Sequence, residues 1–320
     1  MPNTRIAGKR GRLAPLSERQ RLAIRYIHEY GGGLPAASYP VDVTGGIGKE
    51  SWLMLGNGPD PTCTVAPEGV GDCTFCGREH YAMAKAAAYK LTETFETADQ
   101  LVTEYLAYDN SQDQGAVIAT LLHDWYTAGK IAAFAPVDHT DPSKMDAAMQ
   151  EFHGLYIGVD LTDDADDLFN QGLPWTVAGG QQPDPSEGHC ILKVKADGQG
   201  TDGYITWGAE QDATEAWSAA CVDEAWVIIL SEDEMESAAL AELRADIDAL
   251  GGTGGTTPPA PAPAPVPVPA PPSPPAPEPA PVPPDPGGLL AEIALLARTI
   301  AADADRDIAE LVAFLHQHGL

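Results

Sequence analysis

The stretch Gly71-Asp72-Cys73-Thr74-Phe75-Cys76-Gly77-Arg78 sets a cysteine behind Gly-Asp and directly ahead of a run, ending near Lys90, that is rich in Ala, Met, Lys and Glu. Those residues favour helix, so the spacing predicts a helix from about Thr74 with Cys73 in its first turn. There, unpaired backbone N–H groups and the helix dipole favour a thiolate. A cysteine so placed is a candidate nucleophile, and the base and oxyanion donor it needs can come from distant parts of the chain. Two other readings stay open. Cys73 and Cys76 form a C-x-x-C that, with Cys63 and His80, has the residue types of a Cys3His zinc site or a redox pair. No second C-x-x-C accompanies it, and the Gly/Pro-rich segment before it is not the βαβ setting of a thioredoxin-like motif. The same cysteines also suit buried structural positions.

Composition bounds what such a site can serve. A chain of 320 residues holds one large or two ordinary domains, and 44% hydrophobic content supplies a sizeable core. The formal net charge of -29 argues against nucleic acid or an anionic membrane surface as the main partner, because phosphate contacts need a basic face. Residues 1–30 are the exception: Arg5, Lys9, Arg10, Arg12, Arg19, Arg21 and Arg25 are set against only Glu18 and Glu29. This basic arm reads as a leader that docks on the acidic body, as an arm for nucleic acid or a wall polymer, or as a propeptide whose processing releases activity. Five cysteines are too few, and odd in number, for a secreted disulfide scaffold. No apolar core of a signal peptide follows the basic N-terminus and no run of about eighteen apolar residues occurs, so neither a signal peptide nor a membrane span is expected. The expected location is the cytoplasm as synthesised, or a phage particle. An excess of Ala, Gly, Pro and Asp over Lys suggests a high-GC bacterium or its phage.

In chain order, residues 1–37 form the basic arm with one expected helix, about Ser17 to Tyr30, closed by Gly31-Gly32-Gly33. Val41 to Thr44 reads as a short strand, and Gly56 to Val70 as a turn-rich loop that delivers the chain to Cys73. Helices are expected over Thr97–Tyr108, Gln114–Ala128 and Met145–Phe152, and strands over Gly154–Val159, His189–Val194, Tyr204–Trp207 and Ala225–Leu230. Helices first and strands afterwards is an α+β pattern whose two halves flank a cleft, placed at residues 38–235. Asp160, Asp163, Asp164, Asp166 and Asp167 lack EF-hand spacing and read as a solvated turn. An acidic helix follows over residues 236–250. Residues 251–288 are almost all Pro, Ala, Gly and Val, an extended linker. Residues 289–320 carry an amphipathic helix whose stripe (Leu289, Ile293, Leu296, Ile300, Ile308, Leu311, Leu315) calls for a protein partner or self-association.

His189 opens a strand far downstream of Cys73, and Ile205-Thr206-Trp207-Gly208 follows on the next strand. A helix-starting Cys, a strand-starting His and a later Trp-Gly resemble, in order and spacing over about residues 40–230, the papain-like cysteine peptidases. The bacteriocin leader peptidases share that layout, and the Asp-Cys-Thr start also resembles the NlpC-type cell-wall peptidases. The resemblance implies a two-half fold, helical then β-rich, with Cys73 as nucleophile and His189 as its imidazolium partner. Ile205 stands where that family keeps an orienting Asn, with Thr206 the nearest polar substitute, although strand alternation turns it to the other face from Ile205. Asn57 stands in for the family's oxyanion Gln, and Trp207 shields the site. The function so implied is a cysteine peptidase or peptidoglycan amidase acting on a peptide or cell-wall peptide, with no metal and no cofactor. The alternative is a catalytically inactive papain-fold structural or binding protein, such as a virion component anchored by its C-terminal helix.

Overall fold

Apolar runs of β-branched and aromatic residues set the sheet, and the Ala-rich segment after Cys73 sets the helix that packs on it. The structure is a computed structural model and describes residue 5, residues 7–15 and residues 24–251. The chain divides into two units, Met1–Thr256 and Thr257–Leu320. Most of the expected linker and the whole C-terminal helix, like the expected helix start at Ser17, lie outside the described residues.

Among the described residues the chain is α+β, with helices α1 (Cys73–Tyr89), α2 (Ala98–Tyr108), α3 (Ile118–Thr127), α4 (Pro142–Phe152), α5 (Ala165–Gln171), α6 (Glu215–Cys221) and α7 (Ser237–Gly251). The strands are β1 (Val41–Asp42), β2 (Ala133–Val137), β3 (Leu155–Thr162), β4 (Pro183–Ala196), β5 (Thr201–Thr206), β6 (Ala209–Thr214) and β7 (Val222–Ile229). They form one antiparallel sheet in the order β2-β7-β3-β4-β5-β6, with β1 added to β4. No helix among the described residues is long and apolar enough to cross a membrane.

Several boundaries differ from the sequence expectation, each for a local reason. The arm's described end holds only a one-turn 3-10 helix at Ile27–Glu29, because Ile27 and Tyr30 are buried and the Tyr30 hydroxyl donates to Asp246 at 2.7 Å. Helix α3 starts at Ile118 rather than Gln114, since the backbone of Ala116 is engaged by residues 11–13. Strand β2 carries Pro136, which sequence reading counts against a strand, but β2 is the sheet's edge, where a missing N–H is tolerated. Polar β6 pairs through a two-residue hairpin at Trp207-Gly208, where both residues have positive φ (44° and 76°). Between β6 and β7 the chain forms α6, with the Thr214 hydroxyl accepting from the Trp217 N–H.

Helix α1 is fixed to the sheet at its first turns, and this positions the site. The buried Tyr156 hydroxyl of β3 donates to the Thr74 carbonyl at 2.5 Å. Gly77 lets the helix approach, because a Cβ there would stand 2.7 Å from the Tyr156 ring. On the helical side Phe75 meets Tyr105, Tyr108 and Trp125 edge-on at 5.4–5.7 Å between ring centres. Each such buried aromatic contributes about 1.5–3 kcal/mol, so the first turn of α1 is anchored on both faces.

Candidate active site

Cys73 begins α1 with Asp72 as the preceding cap residue. Among the influences on its sulfur, the backbone N–H groups of Cys190, on β4, and Gly11, on the arm, favour the thiolate. His189 precedes Cys190 on β4, stacks on Trp207 at 4.8 Å between ring centres, and shares a 2.8 Å hydrogen bond between Nε2 and the Thr206 hydroxyl. Its Nδ1 is buried with no partner among the described residues.

Thr206 therefore sits on the histidine, and register explains why. Leu192 is opposite Ile205, and residues opposite each other share a face. The next pair along puts Thr206 on the face of Ile191, which is also the face of His189. The alternation that removes Ile205 from the site is what brings Thr206 into it. Trp207 holds a left-handed backbone that bulky residues rarely adopt, with its ring packed on His189, Phe169 and Trp175.

Asn57 lies beside the same site. Its Nδ2 donates to the Lys9 carbonyl at 2.9 Å and, more weakly, to the Val70 carbonyl at 3.4 Å; the Trp207 indole N–H also reaches the Lys9 carbonyl, at 3.5 Å. Two N–H donors thus converge on one carbonyl oxygen, and that oxygen belongs to the arm.

Residues 8–12 form a strap across this cleft. Lys9 N–H donates to the Asn57 carbonyl at 2.7 Å, Arg12 N–H to the Gly188 carbonyl at 3.3 Å, Leu13 N–H to the Ala116 carbonyl at 2.9 Å, and Ala116 N–H to the Gly11 carbonyl at 2.7 Å. Close approach is possible because both surfaces are glycine-lined. A Cβ on Gly11 would stand 1.5 Å from the Gly71 carbonyl oxygen, and one on Gly8 would stand 2.0 Å from that of Asn57. On the body, a Cβ on Gly115 would meet the Gly11 oxygen at 2.0 Å, and one on Gly188 the Arg12 oxygen at 2.5 Å. Ion pairs hold the ends: Arg10 with Asp166 and Glu187, both at 2.7 Å, and Arg12 with Asp160, Asp223 and Glu224. Of the acidic cluster expected to be a solvated turn, Asp160 and Asp166 hold the arm, while Asp163 and Asp167 are exposed.

The strap changes the electrostatics. Burial pushes the Cys73 thiol up to about 12, with the Cys190 N–H pulling weakly the other way. Burial also holds His189 well below its ordinary value, helped by the nearby Arg10 and Arg12 charges. With the strap in place Cys73 is a thiol and His189 a neutral imidazole, with no hydrogen bond between them among the described residues, in contrast to the thiolate–imidazolium pair expected from a helix start. The helix-terminus field acts on an exposed sulfur, and here desolvation outweighs it. Asp72, beside the sulfur, is raised by burial to about 8, with one carboxyl oxygen accepting from the Cys76 thiol at 3.4 Å and the other unpartnered.

The remaining members of the C-x-x-C reading go separate ways. Cys76 faces Asp72 and the Leu55 carbonyl, His80 Nε2 bonds the Leu53 carbonyl at 2.7 Å, and Cys63 accepts from the Ala66 N–H. Among the described residues no group of three or more His, Cys, Asp or Glu side chains is gathered as a metal site.

The structure brings His189, Thr206 and Trp207 into contact and sets Asn57 and Trp207 on the Lys9 carbonyl, with Cys73 at the start of α1; sequence reading missed the strap's path and the acid pocket under Arg12. The signal for the strap was the alternation of glycine and base in Gly8-Lys9-Arg10-Gly11-Arg12. No protein-family model matches the chain, and no curated protein matches it. Among solved structures it is similar to xylellain, a cysteine protease from Xylella fastidiosa, with a TM-score of 0.46 and 13% identity over 72% of this chain and 99% of that one.

Proposed function

We propose that the chain is a cysteine peptidase held latent by its own residues 8–12. The observation that carries this reading is the state of His189. Nε2 is tied to the Thr206 hydroxyl, the ring is clamped on Trp207, and Nδ1 is left without a partner, on the strand whose next residue, Cys190, influences the Cys73 thiol. A histidine with its Nε2 proton on Thr206 has its Nδ1 lone pair free to accept the thiol proton.

With the strap withdrawn, water reaches the pair and the burial that keeps both groups neutral is relieved. Cys73 passes its proton to His189 Nδ1 and its sulfur bonds the carbonyl carbon of a peptide. The Asn57 amide then faces the developing oxyanion, the role its bond to the Lys9 carbonyl mimics. Collapse breaks the C–N bond as His189 gives its proton to the leaving amine. Water, deprotonated by His189, cleaves the thioester, and the proton returns to sulfur with release of the acid. The substrate is a peptide or a cell-wall peptide.

The test is hydrolysis of a mixed fluorogenic peptide library by the full chain carrying Gly11→Ala, which forces the strap out of the groove. The expected result is turnover that disappears with Cys73→Ala. Absence of turnover, with Cys73 also inert to peptidyl electrophiles, would leave the inactive structural protein as the reading.

A further inference from the structure

Arg12 is the most deeply set side chain of the strap, 1% exposed. Its Nη1 donates to Asp223 Oδ1 at 2.8 Å and Glu224 Oε1 at 3.0 Å, and its Nη2 to Asp160 Oδ1 at 2.7 Å and Asp223 Oδ2 at 2.8 Å. The two parallel bonds to Asp223 are the fork that a planar guanidinium makes and an ammonium cannot.

The body builds this pocket before any guanidinium enters it. Trp226 Nε1 holds the outer oxygen of Glu224 at 2.8 Å, and Glu224 is itself 1% exposed. Gly158 leaves the space, because a Cβ there would stand 2.6 Å from Glu224 Cγ and 2.7 Å from Arg12 Nη1. Among the described residues none of the three carboxylates has another basic partner. Burial pushes Glu224 and Asp160 up, and Arg12 is the group that pulls them back toward ionisation. Arg12 Nε is buried and unpartnered, so the pocket satisfies the far edge of the guanidinium and takes it end-on.

The position of the pocket gives it meaning. Gly11 packs against Gly71, two residues before Cys73, and the backbone N–H of the next residue, Arg12, bonds the carbonyl of Gly188, the neighbour of His189. The pocket therefore opens beside the segments that carry Cys73 and His189. We propose that Asp160, Asp223 and Glu224 form the enzyme's specificity pocket, which takes the arginine side chain of a peptide substrate three residues beyond the one whose carbonyl Cys73 attacks, as Arg12 stands three residues beyond Lys9. The strap occupies that pocket with its own arginine and so excludes the substrate. The substrate role rests on the peptidase reading above; the recognition of guanidinium does not.

A binding experiment separates the two. The full chain with Gly11→Ala is titrated with synthetic peptides of residues 7–15 carrying arginine, lysine or citrulline at position 12. Citrulline keeps the shape and removes the charge. The arginine peptide is expected to bind, lysine more weakly, and citrulline more than about thirtyfold more weakly, the order seen when a buried charged pair loses one partner. Adding Asp223→Asn should shrink the gap between arginine and citrulline. Equal affinities, or no binding of the arginine peptide, would overturn the proposal. Neither result depends on Cys73, so failure of the pocket leaves the nucleophile in place, and absence of hydrolysis leaves the pocket in place.

Discussion

Gly11→Ala in the full chain is expected to raise the rate of Cys73 alkylation at pH 7 by a thousandfold or more. The substitution acts on space alone: Gly11 has no left-handed backbone to lose, and its new Cβ would overlap the Gly71 carbonyl at 1.5 Å. The strap must move. With the thiol at about 12 only about one part in a hundred thousand is thiolate at pH 7, whereas an ordinary thiol near pH 8.5 is about three per cent ionised. That ratio sets the scale of the expected gain, and access to the reagent adds to it. Arg12→Ala is a second route, since it leaves Glu224 buried without its cation, a loss of about 3–5 kcal/mol in docking. Mass spectrometry of the alkylated chain resolves Cys73 from the other four cysteines, all buried. Rates unchanged in both variants would mean that the strap does not control the sulfur.

Thr206→Val, made on the Gly11→Ala chain, is expected to lower kcat about ten- to a hundredfold with KM nearly unchanged, while Thr206→Ser stays within a few-fold. Valine copies the shape of threonine but leaves the buried Nε2 of His189 without the 2.8 Å partner it now has. An unsatisfied buried donor costs about 1–3 kcal/mol, and each 1.4 kcal/mol is a factor of ten in rate. Thr206 acts through His189 and not on the substrate, so the loss falls on kcat, and the pH at which kcat rises should move as well. A purely structural threonine would instead change stability and KM together and would not be rescued by serine. An unchanged kcat in the valine variant would remove Thr206 from the account.

Much of the fold is legible in the chain because its strongest elements are locally specified. The Ala-rich run after Cys73 and the Thr97 cap mark α1 and α2, and the apolar runs around Ile157, Ile191 and Val227 mark three central strands. What escaped was decided by tertiary pairing. Strand β6, with Glu210 and Gln211, gains its character from β5, and β2 keeps Pro136 only because it lies at the edge. The same holds at the site. Cys73 and His189 are candidates by residue type and position, and the contact of Thr206 with His189 follows once the Leu192–Ile205 register is known. The strap does not, because its fit depends on Gly8 and Gly11 meeting Asn57, Gly71 and Gly115 across the cleft, an alignment that spacing along the chain does not encode. Charge gave half of that answer: a basic arm and an acidic body predict docking, but not where.

The most direct test is the pH profile of Cys73 alkylation by iodoacetamide, measured on the full chain with Gly11→Ala and on the same chain with His189→Ala added. Burial holds the thiol up and the imidazole down, and displacing the strap is expected to let the two approach the charged pair, in which the thiolate persists to pH values below those of a free thiol. The account predicts Cys73 reactivity that continues well below pH 8.5 with the strap displaced and disappears in that range when His189 is removed. Reactivity that follows an ordinary thiol and is indifferent to His189 would contradict it.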